Sequence, residues 1–251
     1  MKRTKHIRWL IVLLILSSLV TSMKADNAAP IGGTNHLEPI VPYDQDGDGY
    51  YQKVFRSLLP TKSHRCWMIC RPSFKPEYAV AIRDVELPKS GKPADDPFGK
   101  LEYRQVLEVA TATEQIWHWS QQGDGKLDLR DAQVVCKSAE VSNEFSEEIV
   151  NSWKAVLRLT RYADDPDGGL DGTSYDFYAA GYFGATWSPE YTNAALPFSL
   201  VNLAHKLKAI VESPAEKRAP LIQEASKMAA ALKAAADAEH KRLASISAPA
   251  K

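Results

Sequence analysis

The sequence predicts an α+β fold, in which an antiparallel sheet carries two amphipathic helices on one face and a C-terminal Ala-rich helix follows. Two observations lead to this fold class. Segments rich in β-forming residues are grouped between residues 65 and 141, and helical periodicity begins at residue 142. Strands grouped first and helices grouped afterwards are typical of a sheet with its helices on one side.

Five segments have the composition of strands, with bulky or β-branched residues and partial alternation. They are RCWMICR at residues 65–71, EYAVAIRDVEL at 77–87, LEYRQVLEVATA at 101–112, EQIWHW at 114–119 and KLDLRDAQVVCKSAEV at 126–141. Residues 88–99 are rich in Pro, Gly, Lys and Ser and indicate a loop, while SQQGDG at 120–125 indicates a turn. This order predicts an antiparallel meander.

Two amphipathic helices are predicted next. In residues 142–162 apolar side chains recur every three to four positions, as at Ile149 and Trp153, and Ser142 occupies the N-cap position. Residues 197–213 repeat this pattern, with Pro197 in the first turn. Between the helices, residues 164–189 indicate a turn, an aromatic strand or hairpin, and a second turn.

The N-terminal residues have the order of a secretory signal peptide. Four Lys and Arg residues within the first eight positions precede an unbroken apolar run at residues 9–16. This apolar stretch extends to about 12 residues, fewer than the roughly 20 that a membrane-spanning helix needs. A cleaved signal peptide is therefore preferred over a permanent anchor. We expect an exported protein, periplasmic or extracellular, with no permanent membrane span after cleavage.

The chain is accordingly divided into four parts. We predict a signal peptide at residues 1–25, an irregular lead-in with an Asp-rich loop at 26–62, an α+β domain at 63–212 and an Ala/Lys-rich helical tail at 213–251. Residues 215–246 consist mostly of strong helix formers, but their apolar stripe is thin. The tail helix is therefore expected to be peripheral or partly detached.

The charge balance bears on the partners of the mature protein. The chain contains 31 Lys and Arg residues against 31 Asp and Glu residues, and residues 1–25 hold five of the cations and no acid. Cleavage would leave 26 cations against 31 acids, a net charge of −5. A mildly acidic protein without a basic stripe lacks the charge that nucleic-acid binding requires. The expected partner is an unknown protein or cell-envelope component.

The sequence VPYDQDGDGYYQKVF at residues 41–55 contains a candidate calcium loop. Asp44, Asp46 and Asp48 fit positions 1, 3 and 5 of an EF-hand loop, Gly49 fits the sharp turn at position 6, and the Tyr50 carbonyl fits position 7. Position 12, which should hold a bidentate Glu, is a phenylalanine, and two prolines precede the loop. A complete EF-hand is therefore not predicted. A weaker calcium loop and a simple Asp/Gly turn remain the two interpretations.

Two other acidic segments are weaker candidates for calcium sites. In SQQGDGKLDLRD, Asp124 and Asp131 fit positions 5 and 12, but Ser and Gln occupy positions 1 and 3, so a hairpin turn is favoured. A second cluster also has ordinary loop chemistry, with Asp-Pro and Gly-Gly dipeptides. It comprises Asp164, Asp165, Asp167 and Asp171.

Three cysteines are present in a chain predicted to enter an oxidising compartment. On one strand, Cys66 and Cys70 would lie about 13 Å apart, beyond the roughly 7 Å Cα separation that a disulfide allows. This geometry favours a disulfide from Cys136 to one of the pair across neighbouring strands. The alternative is three buried free thiols that pack as small apolar side chains.

Motifs for known enzyme classes are absent from the sequence, which contains no G-x-S-x-G, H-E-x-x-H or P-loop pattern. His118 has aromatic neighbours that would shift its pKa by desolvation, although a strand-surface role is the simpler interpretation. Trp117, Trp119 and Trp187 are candidates for an aromatic surface that binds a sugar or peptide, or for core packing.

Three segments resemble a group of small exported bacterial proteins with no assigned activity. They are RPSFKPEYAVAIR at residues 71–83, GGLDGTSYDFYA at 168–179 and TWSP at 186–189, which an apolar helix follows. The resemblance covers roughly residues 65–212 and omits the Asp-rich loop and the tail. It implies a shared fold and export, but it identifies no catalytic residues.

The sequence therefore favours an exported, non-enzymatic interaction or structural protein of unknown ligand, with a calcium-stabilised N-terminal loop as an added hypothesis. Two alternatives remain open. One is an envelope enzyme, such as a hydrolase, whose site no motif reveals. The other is an inhibitor or immunity protein directed against a secreted enzyme.

The calcium hypothesis predicts a higher thermal stability of the mature protein in calcium than in chelator. A ligand that binds only the folded state at about ten times its Kd adds about 1.4 kcal/mol to the free energy of unfolding. A variant with Asp46→Ala and Asp48→Ala should lose this increment. An identical melting temperature of the wild type in calcium and in chelator would rule out a structural calcium site.

Overall fold

Six antiparallel strands form a single sheet in the computed structural model. The structure describes residues 35–40, 49–61, 63–87, 102–117, 132–162, 172–191 and 194–247, all of which belong to a compact unit from Gly32 to Lys251. The predicted signal peptide lies outside the described residues. Among the described residues, no helix combines the length and the apolar character needed to cross a bilayer.

The strands and helices follow the order that the sequence predicts, except for one additional helix at the start and helical backbone at Ile116 and Trp117, where a strand is predicted. In chain order they are α1 (Tyr50–Leu58), β1 (His64–Pro72), β2 (Tyr78–Glu86), β3 (Tyr103–Ala112), β4 (Val134–Val141), α2 (Asn143–Leu157), β5 (Thr173–Ala179), β6 (Tyr182–Trp187), α3 (Ala195–Glu212) and α4 (Arg218–Ser247). The α+β class is confirmed.

The sheet has the strand order β4-β3-β2-β1-β5-β6. The first four strands form the predicted antiparallel meander, with β1 paired to β2, β2 to β3 and β3 to β4. The chain then crosses over through α2, and β5 adds to the other side of β1 before turning into β6. Strand β1 is therefore central in the sheet.

One face of the sheet packs against α2 and α3 and holds the main core. The side chains of Met68, Ile82 and Phe177 point from three strands into this layer and are fully buried. Trp153 of α2 meets Phe177 edge-to-face, with ring centroids 5.4 Å apart. Helix α2 begins where the sequence predicts, because the Ser142 hydroxyl accepts a hydrogen bond from the Phe145 N–H.

Helix α4 packs against both α2 and α3. Ala225, Ala229 and Ala236 are fully buried on its contact face, together with Leu232. Small side chains let the backbones of packed helices approach closely, so α4 needs few large apolar residues to dock. The tail helix is peripheral to the sheet, as expected, but it is attached along its length and not partly detached.

The opposite face of the sheet carries a second core, which α1 covers. Val54 and Leu58, one helical turn apart on α1, pack against Trp67 and Ile69 of β1. The prediction of an irregular lead-in is therefore wrong for residues 50–58. The apolar i, i+4 spacing of Val54 and Leu58 in YYQKVFRSL is a helical signal, and no proline interrupts these nine residues.

Segment EQIWHW is also different from the prediction. Ile116 and Trp117 have helical and not extended backbone, and β4 begins only at Val134. The Glu77 carboxylate accepts hydrogen bonds from the N–H groups of Ile116 and Trp117, at 2.7 and 3.2 Å. A buried carboxylate that caps this turn therefore overrides the β propensity of the residues.

The disulfide predicted from Cys136 to Cys66 or Cys70 is wrong, and all three thiols are free. Cys136 lies on β4 and the other two lie on β1, with β2 and β3 between them. Three strand spacings of about 4.8 Å separate the two strands by about 14 Å, beyond the reach of a disulfide. Cys66 and Cys70 are buried, whereas Cys136 is exposed.

The close packing of α4 predicts a steric effect at Ala229. We expect Ala229→Leu to lower the free energy of unfolding by about 1–3 kcal/mol, because the larger side chain must push α4 away from its neighbours. Urea unfolding followed by circular dichroism measures this loss. Ala230→Leu, at the adjacent exposed position, is the control and should change stability by less than about 0.5 kcal/mol. Equal effects of the two substitutions would contradict the docked position of α4.

Candidate binding groove

A groove of about 690 Å³ lies between α1 and the sheet face that α1 partly covers. Helix α1 and the loop after it form one wall, and β1, β5 and β6 form the other. We call this feature the aromatic groove. Its lining comprises Gln52, Phe55, Arg56, Leu59, Pro60, Thr61, His64, Trp67, Tyr178 and Phe183. Its volume is within the range of about 300–1,000 Å³ that is usual for small-molecule sites.

Four aromatic rings from four different elements form the apolar part of the aromatic groove. Trp67 stacks on Tyr178 at 5.8 Å between centroids, and Tyr178 in turn lies 4.8 Å from Phe183. Phe55 of α1 meets the edge of Trp67 at 5.5 Å. Trp67 is almost fully buried beneath the other rings, whereas Phe183 is 49% exposed. The outer rings therefore offer apolar surface to a ligand.

The strand pairing explains why these rings meet. Trp67 of β1 is directly opposite Tyr178 of β5, and Tyr178 is directly opposite Phe183 of β6. Directly opposed residues of antiparallel strands project from the same face, with Cβ atoms about 5 Å apart. One row across three strands thus carries three adjacent aromatic side chains.

Polar groups stand among the apolar lining. The His64 Nε2 atom lies 3.3 Å from the Thr61 hydroxyl, and burial lowers the pKa of His64, so its ring is neutral at pH 7. Gln52 and Arg56 are exposed on α1. No Asp or Glu side chain is part of the described lining. The groove can therefore donate hydrogen bonds and contribute one positive charge to a ligand.

Two polar contacts hold the first turn of α1 on the sheet. The Tyr50 hydroxyl donates a 2.8 Å hydrogen bond to the Glu77 carboxylate, which is fully buried. The Arg71 guanidinium lies 3.9 Å above the Tyr51 ring and donates a 2.8 Å hydrogen bond to buried Asp176. These contacts position the helix that supplies one wall of the aromatic groove.

The candidate calcium loop is described only at its end. Asp44, Asp46 and Asp48 lie outside the described residues. Tyr50 begins α1, and Gly49 adopts the left-handed conformation with φ of 68°. This backbone geometry is compatible with the sharp turn that glycine provides at position 6 of a calcium loop. The calcium site remains a prediction.

Among the described residues, no group of three or more His, Cys, Asp or Glu side chains is arranged to hold a metal ion. His118, Trp119 and the acidic residues Asp124, Asp131, Asp164, Asp165, Asp167 and Asp171 lie outside the described part of the chain. Trp117 and Trp187 are described but do not line the aromatic groove. The tryptophan in the groove is Trp67, which the sequence analysis assigns to a strand but not to a binding surface.

The buried cysteines are poorly suited to nucleophilic chemistry. Burial raises the pKa of both the Cys66 and the Cys70 thiol to about 12. The thiolate is the reactive form of cysteine, and a thiol with this pKa is protonated at neutral pH. Burial also raises the pKa of exposed Cys136 above its usual value.

The three sequence segments behind the family resemblance meet at one end of the sheet. The Ser73 hydroxyl donates to the Gly172 carbonyl at 2.7 Å and accepts from the Gly172 N–H at 3.0 Å. The Ser188 hydroxyl accepts from the Thr173 N–H at 2.8 Å. A Cβ at Gly172 would clash with the Trp187 ring. Backbone geometry and packing therefore explain these segments.

Protein-family models, curated proteins and solved structures provide no match to this chain. The resemblance described above remains a prediction from the sequence.

The anchor of α1 predicts a stability loss for Tyr50→Phe. Removing the hydroxyl takes a hydrogen bond from the buried Glu77 carboxylate, which should lower the free energy of unfolding by about 1–3 kcal/mol. Urea unfolding monitored by tryptophan fluorescence provides the measurement. The control is Tyr162→Phe, at a side chain that is 82% exposed, and it should have no effect. Because the calcium hypothesis uses only the Tyr50 carbonyl, Tyr50→Phe should leave any calcium response intact.

Proposed function

We propose that this protein is an exported, non-enzymatic binding protein whose ligand occupies the aromatic groove. The supporting observation is an open groove of about 690 Å³ with four aromatic rings and a few polar groups. Mostly apolar pockets with a few convergent polar groups are the usual form of ligand sites. The ligand would be part of a cell-envelope component, or it would be another molecule that the protein encounters after export.

Export itself is part of this proposal and rests on the signal-peptide pattern of the N-terminal residues. The family resemblance, which implies export, points in the same direction. A calcium-bound Asp-rich loop would lie immediately before α1 in the chain and would fasten the lead-in segment to the domain. Calcium would then have a structural and not a chemical role.

The enzyme alternative is less well supported by the described residues. The two buried thiols have a raised pKa and are protonated at neutral pH. The neutral His64 ring contacts a threonine hydroxyl, and the described groove lining contains no carboxylate to orient it. These features favour binding over acid–base or nucleophilic chemistry.

The proposed function predicts that a neutral aromatic compound binds in the groove and that Phe183→Ala removes this binding. Indole-3-acetamide has 13 non-hydrogen atoms, and at about 0.3 kcal/mol per atom its Kd would be on the order of 1 mM. Titration of ¹⁵N-labelled mature protein, followed by NMR chemical shifts, is suited to this affinity. We expect the shifts to concentrate at residues of α1, β1 and β6.

Tyr182→Ala is the matched control for Phe183→Ala. Tyr182 is adjacent in sequence and 40% exposed, but its ring lies 5.9 Å from the Lys154 ammonium on α2, away from the groove. Tyr182→Ala should retain the wild-type Kd. Shifts that occur elsewhere on the protein, or unchanged binding by Phe183→Ala, would overturn the proposed function.

A further inference from the structure

We propose that the aromatic groove selects small amphipathic organic anions, in which a flat apolar body carries a carboxylate or similar group. This inference rests on the proposed function and adds the chemical class of the ligand. The apolar body would lie on Tyr178 and Phe183, and the anionic group would pair with Arg56.

The charge of the lining supports an anionic ligand. Arg56 is the only Lys or Arg in the described lining, which has no acidic side chain. Arg56 is exposed and forms no ion pair with any residue in the described parts of the chain. Its guanidinium is therefore available to a carboxylate, which it can bind through two parallel N–H donors. A cationic ligand would find no opposite charge in this lining.

The C-terminal end of α1 repels an anion, but this repulsion is weaker than the attraction that Arg56 exerts on the same anion. Arg56 is in the last turn of α1, where the helix carries a partial negative charge of about half an elementary charge. The full positive charge of the guanidinium exceeds this partial charge and extends on a long side chain. The net electrostatic preference of the described lining is therefore for negative charge.

Shape and polarity define the rest of the ligand. A volume of about 690 Å³ suits a compound of small-molecule size. The rings of Phe55, Tyr178 and Phe183 present apolar surface, which a flat aromatic body can cover by stacked or edge-to-face contact. Gln52 and Thr61 add hydrogen-bonding groups that would orient polar substituents.

Indole-3-acetate and its neutral amide, indole-3-acetamide, separate the anionic preference from binding itself. These probes have the same ring and the same number of non-hydrogen atoms. An exposed charge pair contributes about 0.2–1 kcal/mol, so we expect the acetate to bind about 1.4-fold to fivefold tighter than the amide in low salt. This preference should disappear at about 0.5 M salt because the pair is screened. NMR titration of the mature protein gives both Kd values.

Arg56→Gln tests the residue that carries the preference. It should equalise the Kd values of the two probes, because removing the positive charge weakens binding of the acetate more than binding of the amide. Arg158→Gln is the matched control, because Arg158 is exposed at the C-terminal end of α2 and does not line the groove. This control should retain the preference for the acetate.

The outcomes distinguish the two proposals. If both probes bind in the groove with equal Kd values, or if Arg56→Gln retains the preference, the anionic class is wrong while the binding function stands. If neither probe shifts groove resonances at 10 mM, about ten times the expected Kd, the proposed function fails and this inference fails with it. Tighter binding of the acetate that depends on Arg56 supports both.

Discussion

The central strand β1 is apolar on both of its faces, so two separate parts of the chain have to cover it. Cys66, Met68 and Cys70 project to one side, whereas Trp67 and Ile69 project to the other. Helices α2 and α3 cover the first side completely. Among the described residues, the second side is covered by the short helix α1 together with Ile40 and Ile116, and an aromatic row stays partly open. The aromatic groove thus results from a sheet with two apolar faces and unequal coverage.

Buried polar contacts determine the position of helix α1 on the sheet. A nine-residue helix is too short to be stable alone in water, so α1 depends on its contacts with the sheet. A buried carboxylate is costly unless it is well paired, and Glu77 is satisfied by one side-chain donor on α1 and two backbone donors after β3. Displacing α1 would remove the Tyr50 donor from this carboxylate. The wall of the groove is therefore fixed by polar specificity as well as by apolar burial.

The sequence was sufficient for the parts of the fold that local periodicity encodes. It predicted β1 to β3, the Ser142 cap, α2, α3 and the aromatic hairpin, because each has a pattern within its own segment. The disulfide prediction was wrong because it is incompatible with the predicted meander, whose strand order places β2 and β3 between Cys136 and the other thiols. The groove could not be predicted either, since Phe55, Trp67, Tyr178 and Phe183 come from separate elements.

The junction at Ser73, where the segments that carry the resemblance meet, and the residues of the proposed site lie toward different ends of β1. Ser73 follows the end of this strand and bonds to Gly172, whereas His64 begins the strand and Trp67 lies six residues before Ser73. Six residues of extended chain span about 20 Å. The hydrogen bonds between Ser73 and Gly172 have a structural role, because they join the turn after β1 to the start of β5. Ligand binding therefore has to be judged from Arg56 and Phe183, which lie outside the segments that carry the resemblance, together with Tyr178, which lies within one of them.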